Sequence, residues 1–138
     1  MNVDIIIPCF NEDKNIEKLV QLWSEVTKRN ENFYIYYVEN GSDDDTRENL
    51  KKYIKLYHPK RTNVLLVDKN IGYGHGIMSG VNISNGEYTT RNIISVTPSN
   101  VEDNPTRLAQ ELQYSINNGY FRCKGCFCCK YCWNIRSY

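Results

Sequence analysis

The segment Phe33 to Thr46, FYIYYVENGSDDDT, leaves this chain few folds to choose from. Phe33, Tyr34, Ile35, Tyr36, Tyr37 and Val38 are all β-branched or aromatic, and an unbroken run of this kind suits a strand covered on both faces. A polar turn follows at once, with Gly41 to bend the backbone and consecutive carboxylates at Asp43, Asp44 and Asp45. Ser42 and Asp45 have capping-box spacing and predict a helix start. A strand thus hands a polar loop to a helix N-terminus. In open α/β sheets, ligands sit in the crevice beyond the carboxyl ends of such strands.

The same unit recurs on either side. Val3 to Ile7 is a short apolar strand that Pro8 is expected to close. After the turn Cys9-Phe10-Asn11-Glu12-Asp13, with Asn11 as predicted N-cap, Ile16, Leu19, Val20 and Trp23 mark one face of a helix. Leu50, Tyr53, Ile54 and Tyr57 mark another, ended by His58-Pro59, and Asn63 to Val67 is a third strand. Strands and helices alternating over such short connections predict a parallel sheet. The loops PCFNE, ENGSDDD and DKNIGYGHG then share one edge of it. Gly72, Gly74 and Gly76 are read as loop residues before a helix through Ile77 and Val81 that stops at Asn85-Gly86. A fourth strand is expected from Glu87 to about Ile94, and a further helix, opened by Asn104-Pro105, through Leu108, Leu112 and Ile116. No regular pattern follows Asn117-Asn118-Gly119, so the expected organisation is one domain over 1–118 and an irregular Cys-rich tail over 119–138.

A chain of 138 residues that is 41% hydrophobic can bury one core. Its net charge of +1, from 17 basic and 16 acidic residues, supplies no field for nucleic acid. No apolar run approaches the roughly 18 residues of a membrane helix. A cytoplasmic chain is expected, with the inner face of a membrane as the alternative placement; oligomeric state is not legible. Of the six cysteines, Cys9 stands alone and five crowd between Cys123 and Cys132, unlike a distributed disulfide framework. A metal site with cramped spacing, S-acylation and an unselected tail are the alternatives there.

Taken in order, DIIIPCFNE, YYVENGSDDDT and VDKNIGYGHGIMSGVNISNGEY resemble the nucleotide-sugar-binding half of family 2 glycosyltransferases, over roughly Val3 to Tyr88. The GYGHG variant is most similar to members acting on polyprenyl-phosphate or cell-envelope acceptors. The resemblance implies a GT-A fold: a Rossmann-like α/β half-domain, its sheet mostly parallel with helices on both faces. It also implies a nucleotide-binding set of Pro8, Phe10, Asn11, Glu12, Glu39, Asn40, Gly41, Ser42, Asp43, Asn70, Gly72 and Gly74. Glu12 would lie near the nucleoside, Asn40 at a base-contacting position that is often Asp, and Asn70 with Gly72 on the floor. The implied reaction is inverting transfer from a UDP- or GDP-linked sugar, with Mg²⁺ or Mn²⁺ neutralising the departing diphosphate.

The chain departs from the family pattern where the metal-binding Asp-any-Asp motif is expected. It reads Thr89-Thr90-Arg91-Asn92-Ile93-Ile94-Ser95, with no carboxylate from Tyr88 to Val101, and leaves Glu102 and Asp103 as metal candidates. The acceptor half, which supplies the base, is missing, and no catalytic residue is assigned. Family pattern and composition change together after Tyr88, as a frameshift, altered splice or truncation would produce. The expectation is therefore a truncated, catalytically impaired transferase; the alternative is a non-catalytic nucleotide-binding or interaction module. His75 reads either as a phosphate contact or as a polar loop residue, and Asp43 to Asp45 as ligand-facing acids or as charges favouring a helix start.

Overall fold

The computed structural model describes residues 3–84 and 92–95. Strands β1 (Val3–Cys9), β2 (Phe33–Asn40), β3 (Thr62–Val67) and β4 (Asn92–Ser95) form one sheet in the order β3-β2-β1-β4. All three pairings are parallel. Helices α1 (Ile16–Arg29) and α2 (Thr46–Tyr57) join the first three strands, and α3 (Tyr73–Ser84) follows β3. This is the Rossmann-like α/β half-domain that the sequence predicts. The expected helix through Leu108, the acids Glu102 and Asp103, and the cysteine tail lie outside the described residues.

Strand alternation sorts side chains into two cores. Val3, Ile5, Ile7 and Cys9 on β1 and Phe33, Ile35 and Tyr37 on β2 pack with Ile16, Leu19, Val20 and Trp23 of α1 and Leu50 of α2. Ile6, Tyr36 and Val38 point the other way, with Leu65, Val67 and Val81 against them. On that side α3 lies very close to the sheet. A Cβ on Gly80 would stand 2.5 Å from Ile6 Cγ2 and 2.9 Å from Val38 Cγ2.

Several local expectations change. β1 does not close at Pro8 but runs on to Cys9, with Pro8 opposite Val38. The Val3 N–H donates toward β2, to the Asn32 carbonyl, so alternation turns the Pro8 nitrogen toward β4. Among the described residues the β4 ladder runs to Ser95 opposite Ile6, so the missing Pro8 donor interrupts no described pair. The N-cap of α1 is Asn15, not Asn11, which instead takes a left-handed φ of 52° in the turn. The N-cap of α2 is Asp45, not Ser42, and neither cap makes a side-chain hydrogen bond. Helix α3 begins at Tyr73, so Gly74 and Gly76 are helical and the loop is only 68–72. The described part of β4 is Asn92–Ser95, within the strand expected from Glu87 to about Ile94 but for its last residue, and the part before Asn92 lies outside the described residues.

Arg61 ties the far end of the sheet. Its guanidinium donates to the carbonyls of Thr27, Asn30 and Phe33, at and just beyond the C-terminus of α1. A cation there satisfies carbonyls that the helix leaves without partners and suits its dipole. Arg61→Ala is expected to cost about 1.5–3 kcal/mol, the range for hydrogen bonds to a charged group, read by urea denaturation.

Candidate functional site

The loops after β1 and β2 are sewn together by short hydrogen bonds. Asn11 N donates to Ser42 Oγ at 3.1 Å, and Asp43 N donates back to Asn11 Oδ1 at 3.0 Å. Glu12 N donates to the hydroxyl of buried Thr46 at 2.7 Å, Asp13 N to Asp44 Oδ2 at 3.3 Å, and Asn49 Nδ2 to the Asp13 carbonyl at 3.3 Å. Ser42 thus spends its hydroxyl on a neighbouring loop, not on its own helix. Asp44 accepts the Thr46 N–H at 2.9 Å. Burial works against its charge, but the bonds from Thr46 and Asp13 hold its carboxyl below the usual range.

The third loop joins through backbone proximity. At Gly41 φ is +70°, and a Cβ would lie 2.5 Å from Asn70 N and 2.8 Å from Lys69 C. Asn40 is 2% exposed, on the α3 side of β2, and its Nδ2 donates to the Gly72 carbonyl at 3.2 Å. Its Oδ1 has no hydrogen-bond partner among the described residues. A Cβ on Gly76 would fall 2.9 Å from Asn40 Cγ, so the absent side chain makes room for the amide beneath the first turn of α3. Asn70 Oδ1 accepts the Gly72 N–H at 2.8 Å and shapes the turn from within.

Glu39 faces the opposite side of the sheet from Asn40 and is fully buried. Its Oε1 accepts the Ser42 N–H at 2.6 Å, and its Oε2 accepts Arg47 Nε at 2.7 Å, with Arg47 Nη2 also 2.7 Å away. Arg47 Nη2 donates in addition to the Val67 carbonyl at 3.1 Å. The Glu39 bond raises the Arg47 pKa. Cys9, beside these elements, is inert: burial first, then the Glu12 and Glu39 charges, pushes its thiol up.

Of the residues predicted from sequence, Asn11, Glu12, Asn40, Gly41, Ser42, Asp43, Asn70 and Gly72 come together at this edge of the sheet. Phe10 is 40% exposed at its margin, and Gly74 sits in the first turn of α3 with open space around it. Pro8 lies within β1, and the Glu39 carboxylate turns away to Arg47. The Glu12 carboxylate accepts from Asn15 Nδ2 at 2.8 Å. His75 is exposed. Sequence reading missed Thr46, Arg47, Gly76 as a packing position, and Gly80. A signal for Arg47 was present, because an acid inside a run as apolar as FYIYYVE needs a nearby cation. Among the described residues, no group of three or more His, Cys, Asp or Glu side chains could hold a metal ion.

An open parallel sheet with its polar loops gathered at the strands' carboxyl ends defines a Rossmann-like α/β architecture. The glycosyl transferase family 2 model matches residues 4–120, and the chain belongs to that family. Glycosyltransferase AglE of Haloferax volcanii is 29% identical over 84 residues, which is 61% of this chain and 27% of that protein. The dolichyl-phosphate beta-glucosyltransferase of Homo sapiens is 28% identical over 91 residues, 62% of this chain and 28% of that protein. The mannosyltransferase PcManGT from Pyrobaculum calidifontis, solved in complex with GDP-Man and Mn²⁺, shares the fold with a TM-score of 0.66 at 16% identity, over 83% of this chain and 32% of that one. The chain therefore spans less than a third of each of these proteins. The family match continues past Tyr88, where the legible motifs stop, and ends before the cysteine-rich segment begins at Cys123.

Proposed function

We propose that this chain is the donor-binding part of a glycosyltransferase, taking a UDP- or GDP-linked sugar at the edge formed by residues 10–15, 41–45 and 68–72. The observation that carries the reading is the cross-tying of three loops at the carboxyl ends of β1, β2 and β3. On this reading Asn11 and Glu12 flank the nucleoside, Asn40 supports the base from below, and Asn70 and Gly72 form a floor that backbone can approach closely. The GDP-Man in the Pyrobaculum enzyme supports a nucleotide-sugar donor, and the human relative supports a lipid-phosphate acceptor of the polyprenyl kind. A divalent cation would supply charge compensation for the departing diphosphate. The described residues do not fit such an ion, since they offer no ligand set, and Glu102 with Asp103 remain the candidates from sequence.

Calorimetry with UDP and GDP is expected to give weak binding that Asn40→Leu abolishes. Leucine keeps the branched shape but loses the donor to the Gly72 carbonyl and the acceptor that has no partner among the described residues. Binding that survives in Asn40→Leu would take Asn40 out of the site.

A second reading, a nucleotide-binding module without catalysis, is favoured by the absence of any carboxylate from Tyr88 to Val101. Mn²⁺-dependent turnover of GDP-mannose or UDP-glucose separates the two, since a binding module holds the nucleotide and leaves the sugar in place.

A further inference from the structure

Arg47 does more than neutralise a buried acid. Glu39 has no exposed surface, and a carboxylate there is costly unless every oxygen is satisfied. A lysine ammonium could supply the charge. The observed contacts need a fork, because Nε and Nη2 address Glu39 while Nη2 also reaches the Val67 carbonyl on β3. Glu39 stands opposite Leu66, and Asn40 opposite Val67, at the last rungs of the β2–β3 ladder. Arg47 therefore grips both strands where their loops diverge, and through Glu39 it also fixes the Ser42 N–H.

We propose that Arg47 is a positioning residue for nucleotide binding: seated on Glu39 and the Val67 carbonyl, its guanidinium holds the 41–45 and 68–72 loops at one spacing, so that Asn40 and Asn70 meet a single ligand. This rests on the nucleotide-site reading above. The fork acts from the α2 side of the sheet and touches no ligand itself.

Arg47→Lys keeps the charge and gives up the fork. It is expected to melt close to the wild type while binding UDP or GDP about tenfold more weakly, the equivalent of one charge-assisted hydrogen bond. Amide exchange at Ser42 and Asn70 is expected to quicken, with the amides of Ile5 and Ile35 unchanged. A purely structural role predicts the reverse pattern, in which lysine restores binding along with the melting temperature. Should Arg47→Lys fail to fold, Glu39→Gln, which keeps an acceptor for the Ser42 N–H but weakens the seat of Arg47, is expected to show the same split in the same measurements. Wild-type affinity in the folded variant overturns the proposal whatever the exchange rates show. A wild-type chain that binds neither nucleotide overturns the site reading and the positioning role together, and so is distinguishable from failure of the positioning role alone.

Discussion

Trp23→Ala is expected to remove about 3–5 kcal/mol of stability, a large part of what holds a domain of this size. Trp23 is 1% exposed and joins α1 to the inward faces of β1 and β2 in the larger of the two cores. Its deletion leaves a cavity that the surrounding β-branched strand residues cannot collapse into, because their rotamers are already fixed by the sheet. The indole Nε1 has no hydrogen-bond partner among the described residues. Trp23→Phe, which discards that buried donor and keeps most of the ring, is therefore expected to lose far less. Urea melts of both variants measure the difference, and equal losses would mean that the indole N–H matters more than the volume.

Gly41→Val is expected to cost about 2–5 kcal/mol, the sum of forcing a left-handed conformation on a side chain and overpacking its surroundings. At φ +70° a β-branched residue is strained whatever the space, and here there is none. The atoms in the way, Asn70 N and Lys69 C, belong to backbone and cannot rotate aside. Either the 68–72 loop moves or β2 frays at Asn40. Both outcomes separate Asn40 from Gly72, so calorimetry with UDP and GDP is expected to show no binding even where the variant remains folded. Binding at wild-type strength would mean that this close approach is dispensable to the site.

The strands and helix faces were legible because their signals are redundant. The six residues from Phe33 to Val38 all fall in one strand, which runs on through Glu39 and Asn40 where a loop was expected, and the apolar spacing of Ile16, Leu19, Val20 and Trp23 has one helical solution. Helix starts were not, because Ser42, Asn11 and Asp45 are all competent caps and tertiary partners decided among them. The Ser42 hydroxyl was claimed by Asn11, from a different loop. The glycines of GYGHG looked like loop for a similar reason: low helix propensity is a local cost, outweighed here by the close packing that Gly76 and Gly80 permit against Asn40, Ile6 and Val38. Which residues stand at the sheet edge was legible, but not their orientation. The opposite facing of Glu39 and Asn40 follows from strand alternation, yet only the fold shows that Arg47 waits on one side and α3 on the other.

The strand order also sets a timetable. Val3 pairs with Phe33 on one flank and with Asn92 on the other, so the second pairing closes a loop about three times as long, at an entropic cost about 1 kcal/mol greater. Contacts that are near in sequence form early, and those that must bring distant segments together come late. The β1, β2 and β3 ends that present Asn11, Asn40 and Asn70 can thus assemble from one continuous stretch, Val3 to Asn70, during synthesis, before β4 has been made. Until that strand arrives, the β4-facing edge of β1 stays open, and its unpaired backbone groups are what a chaperone or a second nascent chain would meet first.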